Sequence, residues 1–330
     1  MEVKKVFDSF SRLRVLIIGD VMLDSYIWGA VERISPEAPV PVVNVKKKDF
    51  RLGGAANVAL NVLSLGAKPV LCALIGNDDD GKKLIQRLDE QSMSKDGIVM
   101  SPYRPTTVKT RVIASHQHVV RVDEESDAEA NETEEKLLLE RIEKLIPHCD
   151  VVIFEDYDKG VLNEAIISKT VELAKKRSIP TVVDPKKRNF LSYKEVTLFK
   201  PNLKELREGL KIDVSASNQD QVQRASAALK EKLNVEGVMV TLSEHGVYID
   251  FQNQKVKLPA HAREIADVSG AGDTVVSVAA LSVALKLEPK TIAALSNLAG
   301  GLVCQHVGVV PIDKAELMRE ALKEFPTSRL

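Results

Sequence analysis

The stretch DVVIFEDYDKGVLNEAIISKTVELAKKRSIPTVVD (150–184) has a short apolar run at each end and a helical pattern between them. The runs at 150–155 and 180–184 are apolar on both faces, as buried strands of a parallel sheet are. The same alternation recurs along the chain, with apolar runs at 14–19, 68–76, 197–200 and 236–242 and helical patterns at 53–66, 134–146 and 221–233. We therefore predict an α/β doubly wound sandwich, in which ligands bind beyond the carboxyl ends of the strands.

Two segments, 25–50 and 106–125, break this alternation. Their apolar residues alternate without a neighbouring helix pattern, which predicts antiparallel strands that form a small inserted sheet. We expect this sheet to be a lid over the ligand crevice, formed by about 24–50 and 105–124. Its apolar outer positions favour contact with a second copy, so we expect a homodimer through the lid. With no internal repeat or linker, residues 1–330 are expected to form a single domain.

Bulk composition excludes several classes of partner. The 330 residues include 46 basic and 47 acidic side chains, a net charge of −1, so we expect neither nucleic acid nor membrane as a partner. The three cysteines have no CxxC spacing, which is typical of reduced thiols. No apolar run near the N-terminus is long enough for a signal peptide or a membrane span, so we expect a cytoplasmic protein.

The octapeptide DVSGAGDT (267–274) directly precedes a helix pattern at 275–285. Gly270, Ala271 and Gly272 then lie at a helix N-terminus, where free amides and the helix dipole attract an anion. Asp273 suits a general base beside a phosphoryl group in transfer to an alcohol. A helix-capping role for Asp273 is the alternative, and this octapeptide alone favours neither.

Two further motifs have both a binding and a structural interpretation. Asn57, one turn into the helix predicted from GGAANVALN (53–61), can donate to and accept from sugar hydroxyls, or can be a plain exposed residue. Asn202 and Glu205 in PNLKEL (201–206) share one helix face. They could bind a hydrated magnesium ion or form a capping pair.

The order of GGAANVALNVLSLGAKPVLCALIGNDDDG (53–81) and DVSGAGDT resembles the two signatures of the ribokinase-like, or PfkB, carbohydrate kinases. The resemblance covers nearly the whole chain. It implies a ribokinase-like core with a β-sheet lid, ATP and Mg²⁺ as cofactors, and transfer of the γ-phosphoryl group to a sugar hydroxyl.

The resemblance also implies roles for individual residues. Asp273 matches the family's base, and Gly270, Ala271 and Gly272 match its anion hole. Asn202 and Glu205 match a magnesium motif that acts through water. Positions matching sugar contacts are Asp24, Gly53, Gly54 and Asn57, and positions matching nucleotide contacts are Lys186, Asn202, Glu205, Thr241, Ser243, Gly246 and Asn297. Two stretches depart from the family pattern: TLSEHG (241–246), with Leu-Ser where relatives often carry Arg-Gly, and DPKKRNF (184–190), which replaces DPKG.

The stretches at 19–43 and 183–193 resemble a narrower branch of the family, the kinases that phosphorylate O1 of D-glycero-β-D-manno-heptose 7-phosphate in ADP-heptose synthesis. A phosphorylated substrate needs cationic partners, and Arg33, Lys109 and Arg111 in the expected lid could supply them, unless they are merely exposed charges. The sequence ends at Leu330, after the kinase region, so we expect a separate protein to perform nucleotidyl transfer. The alternatives are a kinase for fructose phosphate, ribose or a nucleoside, and a sugar-phosphate sensor without catalysis.

Overall fold

The structure, a computed structural model, describes residues 2–114, 117–261 and 264–325. The strands in these ranges are β1 (Arg14–Gly19), β2 (Val21–Ile34), β3 (Pro41–Gly54), β4 (Lys68–Gly76), β5 (Ser94–Ser101), β6 (Val108–Ala114), β7 (Gln117–Glu124), β8 (Val151–Glu155), β9 (Thr181–Asp184), β10 (Leu198–Phe199), β11 (Gly237–Thr241), β12 (Val247–Phe251) and β13 (Gln254–Leu258). The α-helices are α1 (Val3–Phe10), α2 (Ala55–Ser64), α3 (Asp79–Glu90), α4 (Glu132–Leu145), α5 (Glu164–Lys175), α6 (Leu203–Leu210), α7 (Gln219–Leu233), α8 (Ala271–Ala284), α9 (Pro289–Val303) and α10 (Lys314–Glu324).

The larger sheet has the strand order β13-β12-β11-β10-β9-β8-β1-β4-β5. All the apolar runs predicted as buried strands pair in parallel within it, and only β12 and β13 add antiparallel edge strands. Alternate side chains of each strand enter different core layers: Ile153 packs with α2, α8 and α9, whereas Phe154 packs with α4, α5 and α7. The doubly wound α/β prediction is confirmed.

The smaller sheet has the order β3-β2-β6-β7. Each of the two predicted segments folds back as an antiparallel hairpin, β2 with β3 and β6 with β7. The hairpins join through a parallel pairing of β2 with β6, which the expectation of antiparallel strands did not include. The first hairpin also extends beyond its expected bounds, from Val21 to Gly54.

The helix expected from residue 53 begins later. Gly53 and Gly54 end β3, Gly54 occupies the N-cap position, and α2 starts at Ala55. A side chain at Gly53 would overlap the carboxylate of Asp24 on the neighbouring strand. The two glycines therefore serve the close packing of β2 and β3, and Asn57 lies in the first turn of α2.

Cys72, Cys149 and Cys304 are free thiols. Among the helices in the described ranges, none has both the length and the apolar character needed to cross a bilayer.

Candidate active site

Ionisable side chains gather at the carboxyl ends of β8, β9 and β10, beneath the start of α8. Glu155 and Asp184 end neighbouring strands and are register partners. Lys200 follows β10, and its Nζ lies 2.9 Å from Asp184 Oδ2, with both side chains buried. A Cβ atom added to Gly272 in α8 would lie 3.4 Å from the same carboxylate oxygen. The first turn of α8 therefore sits directly over the strand ends, where a doubly wound sheet binds its ligands.

Asp273, in that first turn, is 4 % exposed and is held by two donors. Asn57 Nδ2 donates to Oδ2 at 2.6 Å, and the Tyr157 hydroxyl donates to Oδ1 at 2.8 Å. The N-cap of α8 is Gly270, with no side-chain capping bond. The capping interpretation of Asp273 is therefore wrong, since its carboxylate turns toward α2 and the segment after β8.

Burial raises the pKa of Asp273 to about 6, and the charge of Asp184 adds to this effect. The hydrogen bonds from Asn57 and Tyr157 and the charge of Lys186 act in the opposite direction. A carboxylate with this pKa is ionised at neutral pH and accepts a proton more readily than an ordinary aspartate. The environment thus suits a general base.

The backbone at the start of α8 suits an anion. Gly270 has φ of 78°, in the left-handed region that favours glycine, and a Cβ there would lie 3.1 Å from Asn57 Nδ2. The amide of Ala271 donates to Val268 O at 3.3 Å. The amides of Gly272 and Asp273 have no acceptor in the described part of the chain. Free first-turn amides of this kind bind phosphoryl oxygens.

On the side of the small sheet, two predicted sugar-binding residues lie near this centre. Asp24 on β2 is buried and accepts a hydrogen bond from Arg111 on β6. Asn57 uses its Nδ2 for Asp273, whereas its buried Oδ1 has no hydrogen-bond partner among the described residues. An unsatisfied buried acceptor beside the base is suited to a hydroxyl donor of a ligand.

On the opposite side, Lys186, Asn202, Glu205 and Thr241 come together. Asn202 and Glu205 form a complete capping box at the start of α6, so the capping interpretation is confirmed. The other Glu205 oxygen binds Lys186 Nζ at 2.9 Å, and Asn202 pairs with Thr241 in an isolated bridge. The side-chain oxygens of Asn202 and Glu205 each have a protein partner but keep lone pairs that can accept hydrogen bonds from water. They therefore fit a hydrated Mg²⁺ ion held through water.

The remaining predicted nucleotide residues surround the loop after β11. The unusual TLSEHG segment forms one turn of 3-10 helix at Ser243–His245, followed by Gly246 with φ of 85°. A side chain at Gly246 would overlap the backbone of 258–259, and Asn297 Nδ2 donates to Pro259 O at 2.8 Å. Gly246 and Asn297 therefore border the same segment.

Comparison with known proteins matches residues 12–315 to the pfkB family carbohydrate kinases. The chain belongs to this family. It is accordingly a carbohydrate kinase, as the sequence motifs predict.

Two relatives of this pfkB kinase are named bifunctional protein HldE. That of Syntrophotalea carbinolica is 40% identical over 306 residues, which are 92% of this chain and 62% of the relative. That of Caulobacter vibrioides is 42% identical over 310 residues, 94% of this chain and 63% of the relative. The chain thus spans less than two thirds of the length of these relatives.

Solved structures confirm the ribokinase-like fold. Phosphofructokinase-2 from Escherichia coli in complex with fructose-6-phosphate has a TM-score of 0.76 at 17% identity, over 95% of this chain and 99% of that one. Ribokinase from Arabidopsis thaliana complexed with ribose and ATP has a TM-score of 0.70 at 18% identity, over 93% and 99%. At these identities the likeness concerns the fold.

The three lid cations predicted in this pfkB kinase do not lie together. Arg111 binds Asp24, whereas Lys109 is paired with Asp123 and Glu125. Arg33 is exposed near the far end of β2, opposite Val42. Because a strand rises about 3.3 Å per residue, Arg33 lies roughly 30 Å along the strand from Asp24. Arg33 is therefore distant from Arg111 and Lys109 within one chain, because pairing register, not proximity in sequence, sets which side chains meet.

Sequence reasoning missed a better-placed cation, Arg51. It lies opposite Asp24 on β3, and its guanidinium carbon is 4.9 Å from the centre of the Tyr26 ring, against 5.4 Å for Arg111. Arg51 also donates to Val309 O at 3.3 Å, so it bridges the small sheet and the segment beside Gly270. Its position two residues before the glycine pair of GGAAN is the only signal in the sequence.

Two residues at the end of β8 were also missed as site residues. Tyr157 contacts Asp273, and Lys186 Nζ lies 5.2 Å from the centre of its ring. Glu155 is fully buried with no hydrogen-bond partner on either oxygen among the described residues. Burial, with the charges of Asp184 and Asp273, raises the pKa of Glu155 well above its ordinary value, which favours the neutral acid. Glu155 ends this buried strand and Tyr157 follows it, in EDYDKG, and this placement is the signal that could have found them.

Proposed function

We propose that this pfkB kinase transfers the γ-phosphoryl group of ATP to O1 of D-glycero-β-D-manno-heptose 7-phosphate and forms the 1,7-bisphosphate. The observation that carries the kinase chemistry is the buried carboxylate of Asp273, fixed by Asn57 and Tyr157 beside the free amides of α8. The choice of sugar rests on the resemblance of the stretches at 19–43 and 183–193 to the heptose 7-phosphate kinases. The matched relatives named HldE, at about 40% identity, support the same choice.

In the proposed reaction Asp273 accepts the proton of the O1 hydroxyl as the bond between O1 and the γ-phosphorus forms. The bond from that phosphorus to the bridging oxygen breaks, and ADP leaves with the electron pair. The amides of Gly272 and Asp273 stabilise charge on the transferring phosphoryl oxygens. Mg²⁺, when bound, neutralises charge on the nucleotide phosphates, and Asn202 and Glu205 would hold it through water.

For the phosphate already on the sugar, we propose Arg111 and Arg51 as partners. Both are partly buried, with side chains 19% and 31% exposed, and both lie beside Tyr26 on the face of the sheet that carries Asp24. A guanidinium group suits phosphate because its planar donors pair with two oxygens at once. In the free protein Arg111 donates to Asp24, and Arg51 Nε donates to Asp49 Oδ2 at 3.3 Å. In this proposal the incoming phosphate replaces these two carboxylates as the acceptor.

We further propose that the small sheet closes the site as a lid of a single-domain kinase and that two copies meet through it. Val120 and Val122 lie opposite Val112 and Thr110, on the face away from Arg111, and each is 49% exposed. Exposed apolar side chains on a sheet favour a protein partner. Light scattering should give twice the chain mass of 36.3 kDa, and a monomer at micromolar concentration would exclude this arrangement.

We also propose a cytoplasmic location, which the free thiols support.

The test of the substrate is ADP release in a coupled assay with ATP, Mg²⁺ and one of four sugars: heptose 7-phosphate, fructose 6-phosphate, fructose 1-phosphate or ribose. We expect kcat/KM for heptose 7-phosphate to exceed that for ribose by at least about 100-fold, since a site built for a phosphate strongly rejects a sugar that lacks it. It should also exceed the values for the two fructose phosphates. Preference for another sugar would refute the choice of heptose and keep the role of Asp273. Sugar binding by calorimetry without any ADP release would indicate a sensor instead.

A further inference from the structure

Tyr157 is anchored at both ends, which distinguishes it from the other residues after β8. Its backbone amide donates to Asp20 Oδ2 at 2.8 Å. The same buried carboxylate of Asp20 accepts the amides of Lys159 at 3.1 Å and Val161 at 3.0 Å. Three backbone bonds to one side chain fix the course of this segment and therefore the origin of the Tyr157 side chain.

At its other end the Tyr157 hydroxyl donates to Asp273 Oδ1 at 2.8 Å. Burial, with the charges of Asp273 and Asp184, raises the pKa of this phenol well above its usual value of 10.0. Tyr157 therefore keeps its proton and remains a donor at any pH at which the protein works. Its ring lies beneath Lys186, whose Nζ is 5.2 Å from the ring centre.

Few groups face the carboxylate of Asp273. Asn57 from α2 and Tyr157 from the segment after β8 hydrogen-bond to it. Asp184 at the end of β9 and Lys186 after β9 act on it through charge alone, and the buried acid of Glu155 at the end of β8 also interacts with it. Tyr157 is thus the sole donor to Oδ1 in the described part of the chain.

We propose that Tyr157 is the positioning residue of the base: its hydroxyl holds Asp273 Oδ1 so that the carboxylate meets the sugar hydroxyl in one orientation and in the ionised form. This inference rests on the proposed function, because it assigns Tyr157 a role through Asp273. A rigidly held base needs no reorientation when the sugar binds, which is the advantage of a preorganised site.

Replacing Tyr157 with Phe removes one hydroxyl and leaves the ring under Lys186. We expect kcat at pH 7 to fall roughly ten- to a hundredfold, the ratio that corresponds to losing a hydrogen bond to a charged group. KM values for ATP and sugar should stay within about twofold, since neither ligand loses a direct contact. The acid limb of the kcat profile should move to higher pH, because loss of the donor destabilises the carboxylate.

Tyr193→Phe is the matched control. The Tyr193 hydroxyl also donates to a buried carboxylate, Asp156 Oδ2 at 2.6 Å, but it does not contact Asp273. We expect Y193F to leave the pH profile unchanged. If Y157F has the wild-type kcat and pH profile, or if Y193F shifts the profile equally, the inference about Tyr157 is overturned.

A second measurement needs neither a kinetic assay nor a variant protein. In wild-type protein without ligands, the ¹³Cζ resonance of Tyr157 should follow the titration of Asp273 near pH 6, because the Asp273 carboxylate accepts the hydrogen bond of its hydroxyl. A flat Tyr157 resonance would overturn the inference even if Y157F fails to fold. A wild-type protein that phosphorylates no sugar while this resonance titrates as expected would refute the proposed function and leave the contact with Asp273 standing.

Discussion

The surroundings of Asp273 and the charged face of the small sheet differ in how their polar groups are satisfied. Around Asp273 the partners are neutral donors, Asn57 and Tyr157, in a buried setting. On the small sheet the cations are paired with carboxylates, Arg111 with Asp24 and Lys109 with Asp123 and Glu125. Under the proposed function, the first region is preformed for proton transfer, whereas the second exchanges ion pairs when a sugar phosphate binds. The difference indicates that turnover depends on the first region and selectivity on the second.

Asp273→Asn should have the largest effect. The amide keeps the shape of the side chain but cannot accept the hydroxyl proton, so we expect kcat to fall on the order of 10²–10⁴-fold with KM nearly unchanged. Steady-state ADP release at pH 8 measures both parameters.

Asp220→Asn is the control, because Asp220 also lies in the first turn of a helix, α7, but is exposed. It should keep wild-type kinetics. Undiminished turnover in D273N would refute the base assignment and remove the contrast between the two regions.

Arg111→Met should change selectivity more than turnover. We expect kcat/KM for the sugar phosphate to fall about 10- to 100-fold relative to the same sugar without its phosphate, because only the phosphate loses a charged partner. The measurement is kcat/KM for both sugars with wild type and variant.

Arg33→Met is the matched control, since Arg33 is a cation of the same sheet but lies near the far end of β2. We expect less than a twofold change in that ratio. Equal effects of R33M and R111M would mean that the phosphate site is not the cluster around Tyr26.

The same contrast explains which parts of the site could be predicted from sequence. Gly270 to Asp273 are contiguous, so a local rule about helix N-termini was enough to place an anion site beside a carboxylate. Arg33, Arg51 and Arg111 lie on separate strands, and only the register and its bulges decide which of them meet. Tyr157 was missed because its contact with Asp273 spans 116 positions along the chain. The apolar runs fixed the sheet more reliably, since period and length suffice for buried strands.

The smallest expected effect concerns stability and pH. The pKa of Asp273 is raised from 3.8 to about 6 in the folded protein, so between these values the folded state holds more protons than the unfolded state. Stability from this group is complete below pH 3.8 and is lost as the pH rises through about 6. Asparagine does not ionise, so Asp273→Asn removes this pH-dependent loss of stability.

The free energy of unfolding of D273N should therefore exceed that of wild type by a margin that grows by about 1 kcal/mol between pH 5 and pH 8. Asp20, whose pKa burial and Asp156 also raise to about 6, is present in both proteins and cancels in the difference. Urea unfolding at the two pH values measures the margin, with D220N expected to follow wild type. A margin that does not change with pH would mean that burial does not raise the pKa of Asp273, and its carboxylate would then have the basicity of an ordinary aspartate.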